Sequence, residues 1–127
     1  IPKNMAADHL LIHVRNTGGV AVAAHPFRKT RPVSEHLIAA GLCPAMESVN
    51  GRNAVIENLQ ASRWRNRYHL AETGGSDAHS PVEVGRVVTR FKTRVHTRQD
   101  LIDAIRDGRC RPEIPDRYDV YAPALNH

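Results

Sequence analysis

The run Val20-Ala21-Val22-Ala23-Ala24, closed by His25-Pro26, limits the fold of this chain more than any other stretch. Small and β-branched apolar residues without polar alternation read as a strand buried on both faces, the pattern of a parallel sheet covered by helices. Proline cannot donate to a sheet ladder, so the strand stops there and His25 stands at its carboxyl end.

The flanking segments alternate in the way such a sheet requires. Asn4 is placed to cap a first helix whose apolar positions Ala7, Leu10, Leu11 and Val14 share one face, with Gly18-Gly19 closing it. Ser34 opens a short helix through Leu37 and Ile38 to Gly41, and Ala45 to Val49 forms a second strand ending on Glu47 and Asn50. From Asn53 to Arg67 a longer helix is expected, with Val55, Ile56 and Leu59 apolar and a basic outer face. His69 to Thr73 is a third strand. Ser80-Pro81-Val82-Glu83 combines cap, first-turn proline and capping glutamate, predicting a short helix to Gly85. Val87 to Phe91 is a further strand, and Thr97 caps a last helix carrying Leu101, Ile102 and Ile105 to Gly108. The tail over 112–127 is expected to be irregular. Strand and helix alternate throughout, which argues for a single α/β domain over 1–127 with a parallel sheet.

Composition narrows the function classes. The chain has 127 residues, 41% of them hydrophobic and 24% charged, with no apolar run near the roughly 20 residues of a membrane span. Nothing at its start resembles a secretory leader, and Ile1 in first position suggests a piece of something longer. Cys43 and Cys110 lack a CxxC spacing, so neither a disulfide framework nor a zinc knuckle is indicated and cytoplasmic thiols are the default. A formal charge of +5 favours anionic partners, phosphate esters or nucleic acid, with a solvated basic face as the alternative. There is no nucleophile elbow, P-loop or dinucleotide fingerprint.

Functional groups in parallel sheets gather beyond the carboxyl ends of the strands. His25, Glu47 with Asn50, and Asp77 with His79 all fall there. In Gly74-Gly75-Ser76-Asp77-Ala78-His79, a carboxylate and an imidazole at i and i+2 would point the same way in extended backbone, and the glycines would leave room for a ligand. Carboxylate with imidazole is a set that zinc, manganese and iron accept. The structural alternatives are a hydrogen-bonded His25, an Asp77 turn, and Glu47 paired with Arg28 or Arg52. His9, His13, His36, His69 and His96 have no matching partner.

Three stretches in order, Gly18 to Arg28, Met46 to Arg52 and Gly74 to Ser80, resemble the C-terminal half of a PHP domain, the polymerase and histidinol phosphatase superfamily, together with its PHP-associated region. The resemblance implies the C-terminal portion of a distorted (β/α)7 TIM-like barrel that holds two or three divalent metals, Zn, Mn or Fe, at its rim. It implies metal-ligand and catalytic roles for His25, Asp77 and His79, and substrate contacts from Arg28, Glu47, Asn50 and Arg52. The expected chemistry is attack of metal-activated water on a phosphorylated small molecule or nucleotide. Complete members carry a His-x-His strand and further ligands that have no counterpart in this sequence, so the missing N-terminal PHP segment is itself an expected partner and the fragment alone is expected to be inactive. The other readings are a PHP nuclease or proofreading piece, and a non-catalytic module binding phosphate, metal or nucleic acid.

Overall fold

The computed structural model describes residues 4–116. Three parallel strands, β1 (Val22–Ala23), β2 (Ala45–Asn50) and β3 (Ala71–Gly75), lie in the order β1-β2-β3 with Ala45 opposite Ala71. Helices α1 (Ala7–Asn16), α2 (Glu35–Ala39) and α3 (Val55–Tyr68) alternate with them. A separate antiparallel pair, β4 (Val88–Phe91) and β5 (Cys110–Glu113), follows, with α4 (Arg98–Arg106) between its strands. No closed barrel forms among the described residues.

β2 is the central strand and the best buried. Ala45 and Met46 are fully enclosed on opposite faces, which is the two-sided cover expected of a parallel sheet. On one face Met46 joins Ala23, Ile38, Cys43 and Ala61, with Phe27, Trp64 and Tyr68 packed around them. The Phe27 and Trp64 rings meet edge-on at 4.4 Å. On the other face Ala45 meets Ile105 and Cys110, with Val20 and Phe91 beside them.

Several expectations change. The strand at Val20 to Ala24 shrinks to Val22–Ala23, and Val22 is 37% exposed because β1 is the sheet's edge among the described residues. Ala6, not Asn4, occupies the cap position of α1. His69 belongs to the end of α3 rather than to a strand, with φ at 52°. Val55, Ile56 and Leu59 do not face the core; they are 77, 56 and 54% exposed. Ala61, Trp64 and Tyr68, spaced i, i+3 and i+7, make the inner face of α3 instead. The Ser80 segment is a single 3-10 turn at Pro81–Glu83. β4 pairs antiparallel with β5, outside the parallel sheet, and β5 runs through Pro112 and Glu113, so the irregular tail begins later than residue 112. Residues 117–127 of that tail lie outside the described residues. Among the described residues no helix is long and apolar enough to cross a membrane.

α4 starts as its sequence predicts. Thr97 Oγ1 accepts the Asp100 N–H at 3.1 Å, and Asp100 Oδ2 accepts those of His96 and Thr97 at 3.0 and 2.9 Å. Thr97→Ala is expected to cost about 1 kcal/mol of stability, read as a lower urea midpoint at constant slope. The His96 backbone bond, then the Thr97 bonds, outweigh burial and hold the Asp100 carboxyl below its ordinary value. A depressed folded pKa means that its contribution is complete above the unfolded value near about 4 and is lost as pH falls from there through the folded value. Wild-type stability should therefore fall more steeply than that of Asp100→Asn in that acid window. Parallel slopes would contradict this.

Candidate functional site

Because the strands are parallel, their carboxyl ends lie together. β1 delivers His25, β2 delivers Glu47 and Asn50, and the turn after β3 delivers Asp77. One hydrogen-bonded network joins them. Glu47 Oε2 accepts the His25 backbone N–H at 2.8 Å and Asn50 Nδ2 at 2.8 Å. Asn50, 3% exposed, directs Nδ2 also toward Asp77 Oδ2 at 3.5 Å, while its Oδ1 accepts the Arg52 N–H at 2.8 Å. Arg28 closes the ring: Nη1 meets Asp77 Oδ2 at 2.6 Å, and Nη2 reaches Asn50 Oδ1 at 3.2 Å and Asn53 Oδ1 at 3.1 Å.

Electrostatics follow from that geometry. Burial by itself would raise the Asp77 carboxyl, but the hydrogen bond and charge of Arg28, then Asn50 and the nearby His25, outweigh it and hold the carboxyl below its ordinary value. His25 has its backbone in the left-handed region, φ 31°, and its Nδ1 is buried without a hydrogen-bond partner among the described residues. An orphaned buried nitrogen costs about 1–3 kcal/mol.

Asp77 and His79 do not sit as extended backbone would place them. β3 ends at Gly75 and Asp77 has φ 50°, so the two residues are not in extended backbone. His79 Nδ1 bonds the Asp77 carbonyl oxygen at 2.8 Å and lies 3.9 Å from Asp77 Oδ1, with its ring mostly in solvent. The glycines leave no ligand space either. Gly74 is pressed against Val87, Val88 and Pro112, and a Cβ on Gly75 would overlap the Glu47 carboxylate. Neither alternative partner for Glu47 is realised, since Arg28 takes Asp77 and Arg52 Nη1 takes Glu83 Oε1 at 3.0 Å.

Glu83 and Asn53 were not among the expected site residues. Glu83 Oε2 accepts the His79 N–H at 2.6 Å and that of Ser80 at 3.1 Å, while Oε1 meets Arg52 and, at 3.8 Å, Arg86. The His79 bond first, with Arg52, Ser80 and Arg86 behind it, outweighs burial and lowers its pKa. Its capping spacing from Ser80 was readable in the sequence; its reach to Arg52 was not.

As placed here, these donors do not fit a divalent ion by themselves. His25 Nδ1 is available, but Asp77 is held by a guanidinium and His79 is turned outward. No three His, Cys, Asp or Glu side chains converge on one point among the described residues.

Comparison with known proteins agrees with the resemblance. Residues 55–110 match the PHP-associated family, consistent with the C-terminal portion of a PHP domain. The crystal structure of PsfC from Pseudomonas syringae PB-5123 is similar in fold, with a TM-score of 0.69 at 20% identity, covering 98% of this chain and 55% of PsfC. The chain thus spans about half the length of that protein. No curated protein matches it.

Proposed function

Starting from its PHP-associated segment at residues 55–110, we propose that this chain is the C-terminal part of a metal-dependent phosphoesterase with a TIM-like barrel, working in the cytoplasm. Both cysteines are free and buried, in keeping with that compartment. The chain supplies one wall of the site, and βα units outside it supply the ligands that complete a metal centre. Arg28 holds and orients a phosphate ester from its anchored position, and Arg52 adds charge beside it. His25 offers Nδ1 to the rim. The single observation that carries this reading is the convergence of three strand ends on one network in which His25 Nδ1 is buried without a partner among the described residues.

The test is hydrolysis of p-nitrophenyl phosphate and bis(p-nitrophenyl) phosphate with Mn²⁺, Zn²⁺ or Fe²⁺ by the protein extended through the sequence upstream of Ile1. Metal-dependent turnover of either substrate is expected; none with any of the metals overturns the proposal. A matching calorimetric titration of the 127-residue chain alone should give Mn²⁺ binding no tighter than about 1 mM, since a single free donor rarely holds an ion. Tight stoichiometric binding would contradict the division of ligands.

A further inference from the structure

A second cavity lies at the other end of the parallel sheet. It has a volume of about 720 Å³ and is lined by Pro44, Leu70 and Ala71, where β2 and β3 begin, so it opens opposite the rim. That is the size of a site for a small organic molecule, about 300–1,000 Å³. Ile38, Leu70 and Tyr68 form its apolar side.

The polar side is basic. Arg65, Lys92, Arg106 and Arg111 face two carboxylates, Glu72 and Asp107. Both acids are already paired, Glu72 with Arg65 at 3.2 Å and Asp107 with Arg109 at 3.0 Å. The ends of α3 and α4 account for part of the charge, because helix carboxyl termini attract cations. Arg65 sits in the last turn of α3, and Arg106 ends α4, its Nη2 bonding the carbonyls of Gly18 and Gly19 at 3.3 and 2.9 Å.

Lys92 and Arg111 lie at no helix end. In the β4–β5 ladder Arg90 stands directly across from Arg111, and the Lys92 N–H bonds the Arg109 carbonyl at 2.9 Å. Like charges directly across a ladder destabilise it. Glu113 answers Arg90 and lies 3.7 Å from Arg111, while Lys92 has no carboxylate within 4.0 Å among the described residues. Glu113 thus offsets the Arg90–Arg111 pair, and Lys92 is left as a cavity cation with no carboxylate beside it among the described residues, free to meet an anion.

We propose that this cavity binds a phosphorylated small molecule of nucleotide size, its phosphate on Lys92 and Arg111 and its apolar part against Leu70 and Ile38. The site is separate from the rim and stands whether or not the rim is catalytic.

The test uses AMP and adenosine as probes of the 127-residue chain in 150 mM salt, followed by calorimetry and by amide shifts in NMR. AMP should bind one to one and move the amides of Leu70, Lys92 and Arg109 to Arg111, with adenosine at least about tenfold weaker. The double variant Lys92→Gln, Arg111→Gln should weaken AMP by at least about tenfold, and Arg63→Gln, Arg98→Gln, exposed cations that do not line the cavity, by less than about twofold. The wild-type shift map serves if the variants fail to fold. Absence of saturable AMP binding, shifts confined to the rim, equal loss of binding in the control variant, or adenosine binding as well as AMP would each overturn the site.

Discussion

Asp77→Asn is expected to lower phosphate-ester turnover of the extended protein by at least about a hundredfold, with the fold retained. Asparagine keeps the size of the side chain and its reach toward Asn50, so packing changes little. What disappears is the negative charge that Arg28 meets at 2.6 Å and that the rim holds ionised below the ordinary carboxylate range. The direct consequence of one atom change is that Arg28 loses its ionic anchor while keeping Asn50 and Asn53. Steady-state kinetics should place the loss mainly in kcat, and a urea titration of the same variant should show a modest fall in midpoint. Turnover within about threefold of wild type would remove Asp77 from the site.

Gly74→Ala should be strongly destabilising, costing about 3 kcal/mol out of the 5–15 kcal/mol typical of a domain. A Cβ there would meet Val87 Cγ1 at 2.8 Å, the Val88 carbonyl oxygen at 2.8 Å and Pro112 Cβ at 2.9 Å. Two of these contacts are side chains that can shift slightly; the carbonyl is backbone and cannot move alone. Thr89 Oγ1 tightens the approach, accepting the Gly74 N–H at 3.0 Å and donating to the Gly74 carbonyl at 2.8 Å. That hydroxyl stitches β3 to the antiparallel pair, so added bulk pushes the two sheets apart. Chemical denaturation should show a lower midpoint at unchanged slope. An unchanged midpoint would mean that the seam between the sheets is loose.

The sequence was most informative where one local rule sufficed. The apolar run Val20 to Ala24 announced a parallel sheet, which forms, but the run itself is its part-exposed edge and β2, with Ala45 and Met46, is the strand covered on both faces. Thr97 with Asp100 announced the start of α4 through a cap that involves only neighbouring residues. It was least informative where partners are distant in the chain. Val55, Ile56 and Leu59 looked like a core face, yet Ala61 and Trp64 were the residues the sheet had room for. Paired glycines looked like space for a ligand, and the space is taken by Val88 on one side and Glu47 on the other.

The same division holds at the rim. From the amino-acid order alone came most of the element types, the parallel core, and the placing of His25, Glu47, Asn50 and Asp77 at strand ends, because strand termination by proline, glycine and polar residues is a local property; β5 and the helical end at His69 were not among them. Only the tertiary structure decided that Arg28 takes Asp77 rather than Glu47, that Arg52 takes Glu83, that the His79 ring lies mostly in solvent and that His25 Nδ1 is left without a partner among the described residues. Those outcomes depend on which side chains from separate strands arrive within about 3 Å of each other, a distance that register and backbone turns such as that at Asp77 set and that no spacing in sequence encodes.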